Sequence, residues 1–494
     1  TLAVIGLLIG IIATTRQSTP SMQAAISDKS IAVLPFVNES DDKGNEYFSD
    51  GISEDLLNLL TKVTQLHVAA RTSSFSFKGK QIGIPQIAST LRVANILEGS
   101  VRKAGNTVRI TAQLVRAADG YEIWSQTWDR QLDDVFKIQD EIAADVVKQL
   151  KVTLLGAAPT VRTTDPRAYA LYLQAMQLGR QFTPDAFKQS DALLQQVLAI
   201  DPRYAPAWNG LARNFINETG AGMLPNEEGY RRGREAADKA LAIDPDYAPA
   251  HALLGFIATV QGDLAGAARH LERALALDPA DLNVLGDAAT LLDDLGRQKE
   301  SIALQEILAA RDPVNVTTLF NLGIDYVQAG RPDDAIARLR TALSLAPGRG
   351  GVHYQIGVAL LFKGQPEAAL AEMQAETNEN WRMFGLPMAY HALGRKAESD
   401  AALAQLIAKY EKDGPYNIAY VYAFRGDADL AFEWLDKTVQ YADPGLSGIP
   451  TENLFDNIRQ DPRWLSFLRK IGKAPEQLAK IEFKVTLPAD KPAQ

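Results

Sequence analysis

Four Asp-Pro pairs punctuate the middle of the chain, at Asp201-Pro202, Asp244-Pro245, Asp278-Pro279 and Asp312-Pro313, and Ala346-Pro347 stands in the next place. From Pro245 onward the prolines recur at a constant spacing of 34 residues. A fixed period of that length means one supersecondary unit stacked on copies of itself, because a single unit cannot bury its own apolar face. The residues between the prolines say which unit. One period holds Leu254, Gly255, Ala258, Gly262, Ala267, Leu271 and Ala274; two periods later come Leu322, Gly323, Tyr326, Gly330, Ala335, Leu339 and Ala342; then Ile356, Gly357, Gly364 and Ala369. Small residues let two helices approach, large apolar ones fill the space between them, and proline ends the second helix because it lacks an N–H.

A helix pair with this period and these residues resembles the tetratricopeptide repeat. The expected solenoid spans residues 157–474. Its first repeat, residues 169–202, lacks regular glycines, and the second carries an insertion near residues 220–228. Weaker units follow, centred on Met383, Leu386, Tyr390, Gly394 and Leu403, and on Tyr416, Tyr422, Gly426, Ala431 and Leu435, with a cap at Asp461-Pro462, Trp464 and Leu468. That makes about seven or eight units. Residues 475–494 are expected to form a short helix and a loose tail. The resemblance implies that the first helix of each pair lines a concave groove for an extended peptide or a partner's helix. Its groove positions fall on Phe256, Thr259 and Val260; Asn283, Thr290, Asp293 and Asp294; Phe320, Ile324 and Gln328; and Tyr354, Val358 and Phe362. These are mainly apolar, with one acidic pair. The Lys and Arg set with which some family members clamp a terminal carboxylate is missing, so an apolar or mildly basic peptide is the expected ligand. Helix packing is the competing role at each position.

Upstream, residues 29–156 read as an α/β domain, a mixed sheet with flanking helices. Residues 31–37 (IAVLPFV) are a short β-rich run, and Ile52, Leu56, Leu59 and Val63 recur at helical spacing. A second strand is predicted over residues 66–69 and a helix over 85–91. Two more strands, 95–102 and 107–116, are joined by the Ala104-Gly105-Asn106 turn, and another covers 121–128 after Asp119-Gly120. In 107–116, Val108, Ile110, Ala112 and Leu114 alternate with Arg109, Thr111 and Gln113, which predicts one wet face. A closing helix carries Val135, Ile138, Ile142, Val146 and Leu150 on one stripe. The segments KSIAVLPF, EYFSDGISED, RTSSFSFKGK, LEGSVRKAGNTV, IWSQTWDR and FKIQDEI, in that order, resemble the TolB amino-terminal domain, related to FlgO-type proteins. The resemblance implies a non-catalytic module, typically placed outside a bacterial inner-membrane helix and ahead of helical repeats.

Charge is unevenly spread in this domain. Lys62, Arg71, Lys78, Lys80, Arg92, Arg102, Lys103, Arg109 and Arg116 face a single acid, Glu98, while residues 39–55 just before them are strongly acidic. With Phe75 and Phe77 interspersed, the run could be an anion- or nucleic-acid-binding strip. The favoured reading is that the two patches lie on facing surfaces or solvate the polar sheet face, because residues 29–151 balance at 15 basic to 16 acidic side chains and show no recognised nucleic-acid motif.

Residues 2–13 (LAVIGLLIGIIA) are unbroken apolar sequence. Twelve residues reach only about 18 Å, short of the ~30 Å hydrocarbon core. Because the chain opens on Thr1, residues 1–15 are read as the end of a transmembrane helix that begins upstream, in preference to a trimmed signal peptide. Gly6 and Gly10 could let two such helices pair as a homodimer, and residues 16–28 form a polar linker.

No reaction centre is legible. The chain has no Cys, so it has no disulfide and no thiolate site. The histidines, His67, His251, His270, His353 and His391, are scattered, and His251 and His353 occupy one slot of different repeats. Phosphate loop, GxSxG and HExxH motifs are missing. No catalytic residue, metal or cofactor is expected, nor nucleic-acid binding by this part of the chain. The expected function is a membrane-anchored, non-catalytic envelope protein of the bacterial inner membrane, single-pass with a periplasmic soluble part, acting as a protein-binding or sensory module. The alternatives are the sensor half of a transmembrane winged-helix regulator or of an adenylate or guanylate cyclase whose output domain lies upstream, and an assembly scaffold.

Overall fold

In a computed structural model of the chain the described residues are 26–63, 65–152 and 163–485. The helix expected over residues 1–15, with Gly6 and Gly10, lies outside them. Among the described residues no helix is long and apolar enough to cross a membrane.

The α/β region is a mixed sheet. Strands β1 (Ser30–Val33), β2 (Val37–Asn38), β3 (His67–Val68), β4 (Asn95–Ala104), β5 (Thr107–Arg116) and β6 (Glu122–Gln131) lie in the order β3-β1-β4-β5-β6, with β2 also beside β4. The run expected as one strand over residues 31–37 is two, because Pro35 cannot donate to a ladder. Both pieces pair in parallel with β4. Between them the Phe36 N–H donates to Ser53 Oγ at 2.8 Å. Gly99 makes this possible: a Cβ there would stand 2.7 Å from the Phe36 ring and 2.2 Å from the Thr111 carbonyl oxygen. Helices α1 (Glu46–Thr61) and α4 (Val135–Gln149) cover one face, burying Ile52, Leu56, Ile138, Ile142 and Val146 against Val108, Ile110, Ala112 and Leu114. On the other face α2 (Arg71–Phe75) and α3 (Ile84–Leu91) reach only the β1 side, through Ile87, Ala88 and Leu91. The β5–β6 part is wet, as the alternation predicts, with Arg109 on Asp129 at 2.7 Å and Thr111 on Thr127 at 3.1 Å.

Several residues of the basic run are paired locally. Lys78 pairs with Glu46 at 2.7 Å and Asp50 at 2.6 Å, Arg71 with Glu54 at 2.9 Å, Arg102 with Asp41 at 3.5 Å and Arg116 with Asp119 at 2.8 Å. Three members of the basic run, Arg71, Lys78 and Arg102, thus meet the acidic stretch that precedes it.

Eight helix pairs follow: α5 (Pro166–Gly179) with α6 (Pro184–Ile200), α7 (Ala205–Gly220) with α8 (Asn226–Ile243), α9 (Ala248–Val260) with α10 (Leu264–Leu277), α11 (Leu282–Asp294) with α12 (Gln298–Arg311), α13 (Val316–Gln328) with α14 (Pro332–Leu345), α15 (Val352–Phe362) with α16 (Pro366–Ala375), α17 (Glu379–Ala392) with α18 (Lys396–Tyr410), and α19 (Pro415–Arg425) with α20 (Ala428–Gln440). The Asp-Pro pairs show why they recur. The residue before proline is driven out of helical space, and Asp201, Asp244 and Asp278 sit at φ −130°, −137° and −142°. Each carboxylate then accepts the N–H two residues on, from Arg203, Asp246 and Ala280, the turn that Asp favours. First helices of neighbouring units touch one another, as in α7–α9, α9–α11, α13–α15 and α15–α17, so they form the inner face of the curve.

The solenoid and the α/β domain share a core. Tyr169 and Leu173 of α5 are buried with the sheet and α1, and Gly51 makes room, since a Cβ there would lie 2.5 Å from Leu173. The boundary expected near residue 156 therefore separates chain segments, not cores. Further along, Asp312 departs from its repeat role. Its carboxylate accepts Ser73 Oγ of α2 at 2.5 Å, and the Ala70 N–H donates to the Arg311 carbonyl at 3.1 Å. The solenoid thus returns to grip the α/β domain a second time.

After α20 the chain makes short 3-10 turns at Pro444–Gly448 and Asn453–Ile458, then α21 (Pro462–Lys470) and α22 (Pro475–Leu478). Beyond α22 the tail is docked as far as Val485, with Phe483 buried among α9–α12. The short helix stands as expected and residues 481–485 are packed; residues 486–494 of the expected tail lie outside the described residues.

Candidate functional site

The inner face divides into a filled and an open part. From the fifth unit onward the chain's own C-terminal segment occupies the concavity. Leu454, Phe455 and Ile458 join one apolar cluster with Tyr326, Tyr354, Val358, Phe384 and Tyr420. Asn453 Nδ2 donates to the Val327 carbonyl at 3.0 Å, and Phe455 packs on Tyr416 with ring centres 5.5 Å apart. Tyr354 and Val358 are consequently buried. The Tyr354 hydroxyl donates to that of Tyr420 at 2.9 Å, and its ring lies 5.1 Å from Trp381. These two expected groove residues are thus buried in the solenoid, Tyr354 against side chains of the first helices that follow it.

Apart from Asp294, the remaining positions are at least partly open. Phe256, Thr259, Phe320, Ile324 and Gln328 are half-buried, and Val260, Asn283, Thr290 and Phe362 are exposed. Val260 and Phe362 each leave two-fifths or more of their surface to solvent, at 49% and 40%. Phe320 lies under the Arg349 guanidinium, 4.8 Å from its ring centre.

Acidic groups punctuate this face. Asp293 of α11 and Asp325 of α13 share a hydrogen bond, with Ser301 Oγ donating to Asp293 at 2.9 Å and standing 3.3 Å from Asp325. Burial, and then mutual repulsion, holds Asp293 well above the usual carboxylate range; burial does the same for Asp325. One proton between the two is the arrangement that like charges in contact require. Asp287 is pushed up to about 7 by burial, against the charge of Arg213. Asp294, adjacent in sequence to Asp293, is buried instead, its carboxyl raised by burial and countered by Lys473. The acidic pair read from the sequence was Asp293 with Asp294; the pair that meets in space is Asp293 with Asp325. Asp287 and Asp325 had no signal of their own, lying inside otherwise ordinary helix stripes.

A second polar cluster sits where the solenoid joins the α/β domain. Asp55 of α1, Gln139 of α4 and Tyr169 of α5 are mutually bonded: the Tyr169 hydroxyl donates to Asp55, and Gln139 Nε2 reaches Tyr169 Oη at 2.9 Å and Asp55 at 3.2 Å. Burial pushes the Asp55 carboxyl up to about 6, with the Tyr169 hydrogen bond pulling it back. Beside it Glu54 receives both Arg71 and Arg180, the latter at 2.7 Å.

The histidines pack. His251 and His353 hold equivalent places in α9 and α15, and each bonds the residue nineteen further on, His270 at 3.2 Å and Glu372 at 2.7 Å. Among the described residues no group of three or more His, Asp or Glu could hold a metal.

An α/β domain fused to a tetratricopeptide solenoid is the class these features define. Residues 248–273 and 326–380 match models of the tetratricopeptide repeat. Residues 27–145 match the second domain of HilA/YgeH-like transcriptional regulators. A curated relative, "Putative adenylate cyclase 3" of Rhizobium meliloti (strain 1021), is 41% identical over 197 residues, covering 38% of this chain and 34% of that protein. The chain therefore spans about a third of that relative's length. Among solved structures, PilF of Pseudomonas aeruginosa is 19% identical and covers 44% of this chain and 96% of its own, with a TM-score of 0.36. A tetratricopeptide repeat protein of Parabacteroides merdae is 16% identical, covering 51% and 98%, with a TM-score of 0.39.

Proposed function

We propose that this chain is the binding and sensory portion of a bacterial signalling protein, in which the open inner face of the solenoid holds an apolar or mildly basic segment of a partner protein. The observation that carries the reading is the pair of partly open apolar patches, Phe256 with Val260 on α9 and Phe320 with Ile324 on α13, on either side of α11, whose carboxyls Asp287 and Asp293 a basic partner would relieve of their desolvation cost. The described residues bind; the output belongs to another domain. Both the regulator-domain match and the cyclase relative support that division, the output being transcription in one case and a cyclic nucleotide in the other. The α/β domain is taken to be of the TolB amino-terminal kind. Anchoring through residues 1–15, pairing through Gly6 and Gly10, and a periplasmic position at the inner membrane belong to the same proposal. The test is affinity capture with the full chain beside a Phe320→Ala/Ile324→Ala variant of unchanged circular dichroism. A specific partner lost with the variant supports the groove; equal capture by both chains refutes it.

A further inference from the structure

After α22 the chain turns through residues 479–481 and then crosses the third and fourth units with alternating burial: Ile481 and Val485 are half-buried, Phe483 buried, Glu482 and Lys484 exposed. Phe483 is only 3% exposed and lies in one cluster with Leu285 and Leu295 of the solenoid. Two solenoid side chains hold the strand by its backbone. Arg297 Nη1 donates to the Phe483 carbonyl at 2.5 Å, and Glu272 accepts the Lys484 N–H at 2.5 Å. A pocket for one aromatic ring, a cation for the carbonyl beside it and a carboxylate for the next N–H form a reader of extended backbone, with alternate side chains supplying specificity.

We propose that this surface is a second peptide-binding site, built for a segment with apolar residues at alternate positions around a central aromatic, and that residues 481–485 of the chain are its resident occupant. A partner segment of the same chemistry enters by displacing them. The inference uses residues distinct from the open inner groove, so it stands or falls separately from the function proposed above.

A tethered occupant acts at about millimolar effective concentration. A free copy of the segment that binds an emptied site at about 10 µM is therefore held off about 100-fold by the intact chain. The probe is a fluorescein-labelled peptide of residues 474–485, read by fluorescence anisotropy against the full chain, its Phe483→Ala variant and its Lys484→Pro variant, the last removing the N–H that Glu272 accepts. Both variants vacate the site without touching it, so one suffices if the other misfolds by circular dichroism. The expected result is binding to the variants about 100-fold tighter than to the native chain, weakened again by adding Arg297→Ala and unaffected by Phe320→Ala. Equal binding by native and variant chains, or none by any folded variant, overturns the proposal. Loss of peptide binding with Phe320→Ala would place the peptide in the inner groove and overturn it as well.

Discussion

Replacing Asp55 by Asn should stabilise the joint between the two domains at neutral pH. The carboxyl is half-buried between α1, α4 and α5, and burial pushes its pKa up to about 6 against an ordinary 3.8. A raised carboxyl contributes stability that is fully present below the unfolded value and lost as pH rises through the folded one. Two units at about 1.36 kcal/mol each put the full cost of ionising Asp55 at about 3 kcal/mol. About 1 kcal/mol of it has accrued by pH 4.5 and nearly all by pH 7.5. Asparagine keeps the acceptor for the Tyr169 hydroxyl and carries no charge. Its amide can also supply the buried Gln139 Oε1, which has no partner in the native arrangement. The advantage of the variant should thus grow by about 2 kcal/mol between pH 4.5 and 7.5, a change in Tm difference of about 4–8 °C for a cooperative unit of this size. Scanning calorimetry of both chains at the two pH values reads it directly. A Tm difference that does not change with pH, or a variant that is less stable at pH 7.5, would refute the account of this cluster.

Asp325→Asn should flatten the loss of thermal stability between about pH 7 and 9, because the native pair must then carry a second charge that the variant lacks; a pH series of melts of the two chains shows this. Ser73→Ala removes the hydroxyl bound by Asp312 and should loosen the second grip of the solenoid by about 1–2 kcal/mol, seen as faster amide exchange in residues 70–77 with the remaining helices unchanged. Ala346 adopts φ −140° and ψ 81°, close to Asp278, so Ala346→Asp should gain the missing turn bond to the Gly348 N–H and stabilise by about 0.5–1 kcal/mol, measurable by urea melts. Gly255→Ala would bring a methyl to 2.7 Å from Leu271 and should lower Tm by the cost of overpacking, about 1–3 kcal/mol.

The repeat array was legible because its signals are local. Proline positions, turn glycines and the apolar stripes of paired helices act within one period, and each is visible in the structure in the element that needs it. The strand alternation of residues 107–116 was legible for the same reason. What the sequence hid was long-range. Nothing local marks Tyr169 as a member of the α/β core, or Asp312 as a repeat aspartate that bonds to the α/β domain. Tyr354 and Val358 carry the pattern of groove residues, but Leu454 and Phe455, a hundred residues away, share their cluster. The docked tail did leave a trace. Ile481, Phe483 and Val485 alternate with Glu482 and Lys484, a strand signature at a chain end where a loose segment has no use for one.

The claim that the inner face meets a partner is tested most directly by site-specific photocrosslinking in cells that make the natural full-length protein. A benzophenone amino acid replaces Phe320 or Phe362 on the inner face, or Leu345, which is exposed at the end of a second helix. The account predicts one discrete crosslinked protein from positions 320 and 362 and none from 345. The same product from position 345, or no product from either inner position, would contradict it.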